Sequence, residues 1–159
     1  CTALRRLLVQ NVVTGCTVMV NRELARLAGG EIPEACLMHD WWLALLASAC
    51  GRVGFLDEAT MDYRQHGTNT VGAKDAGSLT YVTGKLRENR MKTAIFDTFD
   101  QAGALADRYA GLLPAAAEAT LRDYGALARK GKLARITAYS SGGFWKQGLA
   151  RRAGQLLWG

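Results

Sequence analysis

No apolar run in this sequence is long enough for a bilayer. The most apolar stretch, residues 41–50, is about half the length a spanning helix needs. No charged-then-apolar leader opens the chain, so nothing in these residues reads as a secretory signal. The four cysteines (Cys1, Cys16, Cys36, Cys50) contain no C-x-x-C pair, and the two histidines, His39 and His66, form no cluster with them. That spacing argues against a structural zinc site. Without a secretion signal it also argues against disulfides, so reduced thiols in a cytosolic protein are expected. Cys16 and Cys50 lie in apolar runs and read as small core residues. No acidic residue follows Asp123, and no internal repeat is evident.

What is present is an ordinary globular composition, 49% hydrophobic and 21% charged over 159 residues, which excludes a disordered chain and suits one domain or part of one. The sequence opens on Cys1 in what reads as mid-domain sequence, so a piece of a longer protein is expected. Charge is uneven. Residues 1–75 hold seven Lys/Arg against eight Asp/Glu, and residues 76–159 hold thirteen against six. Arg129, Lys130, Lys132, Arg135, Lys146, Arg151 and Arg152 gather in the acid-free tail. This asymmetry suits an anionic partner, a membrane surface or nucleic acid, or else a plain solvated tail.

The chain divides near residue 74. Residues 11–21 (NVVTGCTVMVN) are β-branched between polar ends and predict a buried strand. Residues 22–27 predict a short helix stopped by Gly29 and Gly30, and residues 31–38, with Pro33, a loop. Residues 39–50 are apolar on nearly every side and predict a buried helix ended by Gly51. Residues 52–56 and 59–65 read as two strands, with a glycine-rich loop after them. From Ser78 the composition turns Ala-rich and helical, over residues 79–110 and then 114–130 behind Pro114. Gly131 and the Ser-Ser-Gly-Gly at 140–143 break that pattern, and residues 144–158 form a last candidate helix. Within it Trp145, Leu149, Ala153 and Leu156 make an apolar stripe with Arg151 and Arg152 to its side. That pattern suits either an interfacial helix or packing on the protein's own body.

The chemistry-bearing residues lie between Met38 and Gly67. Asp40 stands at a helix N-terminus, where backbone N–H groups favour negative charge, among tryptophans. Such a carboxylate can take a proton from a hydroxyl, or it can simply cap the helix. His66 follows a strand and precedes a glycine-rich loop, where an imidazole can bind a divalent metal, meet a phosphate or make a local hydrogen bond. Arg64 can pair with phosphate or cover Asp62.

Four segments in order carry a resemblance: Asn11-Val12-Val13-Thr14-Gly15-Cys16-Thr17, then Asn21-Arg22, then His39-Asp40-Trp41-Trp42, then Tyr63-Arg64-Gln65-His66-Gly67 followed by Asn69. Together they resemble the C-terminal half of a family 2 glycosyltransferase, closest to bacterial rhamnosyltransferase-like members that build surface polysaccharides. The likeness covers residues 8–74 well and the tail loosely.

The resemblance implies an α/β fold: residues 1–74 as the acceptor-side part of a GT-A domain whose nucleotide-binding half is missing, and residues 75–159 as a basic helical extension. It implies inverting transfer of a sugar, rhamnose foremost, from a nucleotide-diphospho-sugar donor to a glycan or lipid-linked acceptor. Asp40 would be the catalytic base. Thr14, Gly15, His39, Trp41 and Arg64 would line the substrate, and His66 would lie at the metal, Mg or Mn. The family's D-x-D metal motif does not precede the matched region. Asp97-Thr98-Phe99-Asp100 has the wrong spacing and place, so the metal ligands are expected upstream and this piece alone is expected to be inactive. The location implied is the cytoplasm, peripheral on the inner membrane's cytoplasmic face. The alternative is a non-catalytic basic module on an anionic membrane or nucleic acid, although the tail lacks the interleaved aromatics of a nucleic-acid reader.

Overall fold

A helix apolar on nearly every side must be covered on nearly every side, and the architecture follows from that requirement at residues 39–50. A computed structural model describes the backbone of residues 2–62 and 85–159, with side chains at 2–62 and 90–159. Its elements are α1 (Leu4–Val9), α2 (Arg22–Ala28), α3 (His39–Cys50), α4 (Lys85–Arg108), α5 (Ala115–Gly125), α6 (Lys132–Gly142) and α7 (Leu149–Trp158). Short 3₁₀ turns occupy Gly15–Thr17 and Ala126–Arg129.

Helix α3 buries Trp41, Trp42, Ala44, Leu45, Leu46 and Ala49. It packs on α1, α2 and α5. The Trp41 indole Nε1 donates to the Leu7 carbonyl at 2.6 Å, and the Ser48 hydroxyl donates to the Thr2 carbonyl at 2.9 Å, so α1 is bonded along its flank. Helix α2 starts where the Asn21 side chain accepts from Leu24 N–H at 2.9 Å, and it ends at Gly29. Helix α4 is the spine, with Ile95, Phe99, Ala102, Leu105 and Ala106 on its buried face and Tyr109 buried just past its end. One apolar core joins α1, α3, α4, α5, Tyr139 and Phe144, so residues on both sides of position 74 share it.

Two polar devices fix this core. The Thr98 hydroxyl donates to the Ile95 carbonyl at 2.6 Å, so it accepts from the Tyr124 hydroxyl at 2.9 Å, while the Phe99 and Tyr124 rings meet edge to face at 5.0 Å. Gln101, fully buried on α4, accepts from Leu37 N–H at 2.9 Å and thereby ties the approach to α3 onto the spine.

The expected α/β architecture is overturned. Among the described residues there is no strand and no sheet. Residues 11–21 are extended on either side of the 3₁₀ turn at Gly15–Thr17, with Thr14 at φ −124°, ψ 125° and Val18 at φ −85°, ψ 129°. A strand is defined by its ladder, and these β-branched residues have extended backbone but no paired neighbour among the described residues. Residues 52–62 are likewise irregular and mostly exposed, with Phe55 81% exposed, and residues 63–65 lie outside the described ones. A half GT-A domain is therefore not what these residues build. Cys16 and Cys50 are exposed rather than core residues. Helices α1 and α6 were not anticipated, and the last helix starts at Leu149 and not at Phe144. None of the described helices is long and apolar enough to cross a membrane.

The crossing of α4 and α5 is close. A Cβ on Gly125 would stand 3.1–3.2 Å from the Gly103 backbone and from the Phe99 carbonyl oxygen, whereas one on Gly103 would meet nothing within 4 Å. Gly125→Ala should therefore lower the unfolding free energy by about 1–2 kcal/mol, because backbone on both sides must separate. Gly103→Ala should raise it by up to about 1 kcal/mol through helix propensity. Urea denaturation of the two variants checks the pair.

Burial pushes the Tyr139 phenol up to about 12 and the Tyr124 phenol higher still. Above pH 10, the ordinary value, the unfolded chain ionises these phenols while the fold resists. Stability should thus fall as pH rises from about 10 to 12, and Tyr139→Phe should flatten that fall in denaturation midpoints measured across the window.

Candidate functional site

The site is built where the chain leaving α1 meets the first turn of α3. After Gln10 the backbone turns extended, which carries Asn11 across to Met38 and Asp40. The Asn11 Oδ1 accepts from Val13 N–H at 2.9 Å, an Asx-type turn that fixes the side chain. Its Nδ2 then donates to Asp40 Oδ1 at 3.2 Å. The same oxygen accepts from Trp41 N–H at 2.6 Å. Asp40 is only 3% exposed, so its carboxylate is held by an amide on one side and by the helix N-terminus on the other.

Asp40 Oδ2 points toward Gly15. A Cβ on Gly15 would stand 3.6 Å from that oxygen and 2.9 Å from His39 Nε2. Glycine is what lets the 3₁₀ turn lie against the imidazole. Thr14 opens this turn and its carbonyl accepts from both Thr17 N–H and the Thr17 hydroxyl at 2.8 Å. His39 is exposed. It also lines a small pocket of about 100 Å³ with Ala28, Pro33, Cys36, Trp42 and Arg108. That is below the roughly 300 Å³ at which small-molecule pockets begin, so it does not hold a nucleotide-sugar by itself.

Of the residues singled out from sequence, Thr14, Gly15, His39 and Asp40 are brought to one corner. Trp41 is not: its indole is buried and bonded to the Leu7 carbonyl, so it anchors the helix instead of lining a substrate. Arg64 and His66 lie outside the described residues. Two residues carry the corner without having been given a role, Asn11 and Gln101. Asn11 stood in the recognised motif, and Gln101 interrupts an otherwise apolar helix stripe, a signal that a buried polar group has a partner.

Other chemistries fit less well. Burial pushes the Cys36 thiol up, a hydrogen bond with the Met38 backbone opposes this, and the Asp40 charge adds to the rise. A thiol held protonated is a poor nucleophile. The resemblance places the divalent metal at His66 and at ligands upstream, and His66 lies outside the described residues. Among the described residues no three His, Cys, Asp or Glu side chains come together, and one imidazole beside one carboxylate is too few ligands. No metal-dependent step is assigned to this corner. No family model matches the chain, and no curated protein or solved structure does.

The Asn11–Asp40 bond is the corner's clearest energetic element. Asn11→Ala should cost about 1.5–3 kcal/mol, the range for a hydrogen bond to a charged group. A double-mutant cycle with Asp40→Ala should show a coupling of about 0.5–3 kcal/mol. Additive losses in thermal or urea unfolding would show that the two side chains do not act on each other.

Proposed function

We propose that this chain carries the acceptor-activating part of an inverting glycosyltransferase that builds cell-surface polysaccharide, with Asp40 as the general base. The observation that supports this most is the convergence of Asn11, Gly15, His39 and Asp40 at one helix start. These residues come from two separate segments of the resemblance, and a chance likeness gives no reason for them to meet around a carboxylate. The reading concerns the site and its chemistry, and does not include the GT-A half-domain that the fold contradicts.

In this reading the acceptor hydroxyl, on a glycan or a lipid-linked sugar, meets Asp40 at Oδ2, the oxygen beside Gly15. Asp40 takes the hydroxyl proton as the oxygen attacks the anomeric carbon from the face opposite the nucleotide diphosphate. The new carbon–oxygen bond forms as the bond to the diphosphate breaks, and the configuration inverts. Asn11 and the Trp41 amide hold Oδ1, so the second oxygen is the one left to work. Asn11 is thus a positioning residue. The nucleotide-diphospho-sugar, with rhamnose as the first sugar to try, and its metal are assigned to residues other than those described. On this reading the protein works in the cytoplasm, on the membrane's cytoplasmic face.

The test is Asp40→Asn in the complete enzyme. Asparagine keeps an oxygen for Trp41 N–H and Asn11, so the fold survives while the base is lost. Turnover should fall by about 10²–10⁴, the scale of general base catalysis. Affinity for the donor, measured by calorimetry, should stay as in the parent. Turnover within a few-fold of the parent would remove Asp40 from the chemistry.

A further inference from the structure

We infer that the outward face of α7, together with the start of α6, docks on a bilayer bearing anionic headgroups. This inference is independent of the glycosyltransferase reading. The inward side of α7 is fixed by Gln155, whose Nε2 donates to the Phe144 carbonyl at 2.7 Å and whose Oε1 accepts from Lys146 N–H at 3.0 Å. Gly154 is buried beside it, where a Cβ would stand 3.0 Å from Met91 Cε. With Gln155 and Gly154 inward, a helix advancing about 100° per residue turns Leu149, Ala153, Leu156 and Leu157 outward.

Their exposure agrees: Leu149 is 85% and Leu157 60% exposed, and Leu156 is also open. Leu133 joins them at the far end. It is 82% exposed, and its neighbour Lys132 donates from Nζ to the Leu157 carbonyl at 2.7 Å. Scattered surface leucines need no explanation, but four sharing one end of the molecule form a patch. The stripe differs from the one expected from sequence, since Trp145 precedes the helix and turns inward against Tyr139 at 5.9 Å.

Charge selects the occupant. Arg152, Lys130 and Lys132 flank the leucines, with the Arg152 Nε donating to the Lys146 carbonyl at 3.0 Å, and none of them is in an ion pair among the described residues. Residues 124–159 contain no acid to neutralise them. Lys146 is not counted, because it sits partly inward. Apolar side chains rimmed by Lys and Arg are what an interfacial helix presents to anionic lipid. A second copy of the chain would set the same cations against one another. Nucleic acid would find no outward aromatic for its bases in this patch and would leave the leucines in water.

The experiment is co-sedimentation of the full chain with vesicles of three parts phosphatidylcholine to one part phosphatidylserine, beside vesicles of phosphatidylcholine alone. The parent chain should pellet with the anionic vesicles and, at 0.5 M salt, at least about fivefold less. Leu149→Asp with Leu157→Asp, and separately Lys130→Glu, should each weaken the partitioning about tenfold or more with the same melting temperature. These side chains are exposed, so the fold does not depend on them. Equal pelleting of parent and variants, or no pelleting of the parent, would overturn the proposal. Tighter binding to single-stranded nucleic acid than to vesicles would overturn it as well. So would a dimer that Leu157→Asp dissolves in a chain that ignores lipid.

Discussion

Helix α3 buries most of its surface, leaving only a narrow stripe from His39 to Cys50 partly open, and the remaining described helices are arranged to cover the rest. Its two tryptophans do most to set their positions. Trp41 points at α1 and bonds the Leu7 carbonyl, while Trp42 reaches the far end of the spine at Tyr109, ring centroids 6.4 Å apart. Leu37, just before the helix, is bonded to the buried amide of Gln101 on α4. The first turn of α3 is therefore pinned from two directions before Asp40 is considered. A carboxylate at such a point has little freedom to move, which is the usual requirement for a group that must meet a substrate at hydrogen-bond distance.

The sequence disclosed those elements whose ends are written in local chemistry. Gly29 after α2 and Gly51 after α3 are stop signals that act over three or four residues, and the structure uses both, whereas the cap that Asn21 supplies to α2 was read as the end of a strand. Pro114 stands immediately before α5 for the same kind of reason. What failed was whatever depends on a partner. Residues 11–21 have the β-branched composition of a strand, and composition does specify extended backbone there, but only a neighbouring strand turns extended backbone into a sheet. Cys16 fell with that expectation, because it stands at the centre of the 3₁₀ turn that interrupts the extended segment and is exposed there. Helix α6 was hidden by the opposite effect. Its Ser-Ser-Gly ending resembles a breaker, yet Ser140 and Ser141 turn their hydroxyls back to the carbonyls four residues earlier and the helix runs on to Gly143.

At the candidate site the balance is similar. Asp40, Gly15 and His39 were legible as residue types at motif positions, and their meeting is a matter of tertiary geometry that no spacing within 159 residues states. Trp41 was misread because aromatic side chains beside an acid suggest a sugar-binding wall, whereas an indole N–H that is buried needs an acceptor and here takes a backbone carbonyl. The role of Asn11 was not legible at all. An asparagine after a helix is commonplace, and only the distance to Asp40 distinguishes it.

Helix α1 links the two functional proposals physically. Arg5 donates to the Gly142 carbonyl at 2.8 Å and Arg6 to the Trp145 carbonyl at 3.4 Å, and Gln10 accepts from Gln147 N–H at 3.2 Å. One side of this short helix thus binds the segment that leads into α7. The residue after Gln10 is Asn11, which holds Asp40. The helix proposed to face lipid and the proposed base are joined through these bonds and through α4, on which α7 packs. A surface that settles on headgroups through α7 would accordingly hold the Asp40 corner at a set height and tilt. For an acceptor carried on lipid, that constraint replaces a three-dimensional search with one confined to the plane in which the acceptor already lies, a gain in effective concentration. On the two proposals together, the basic tail and the buried carboxylate, unrelated in sequence, would be parts of one arrangement.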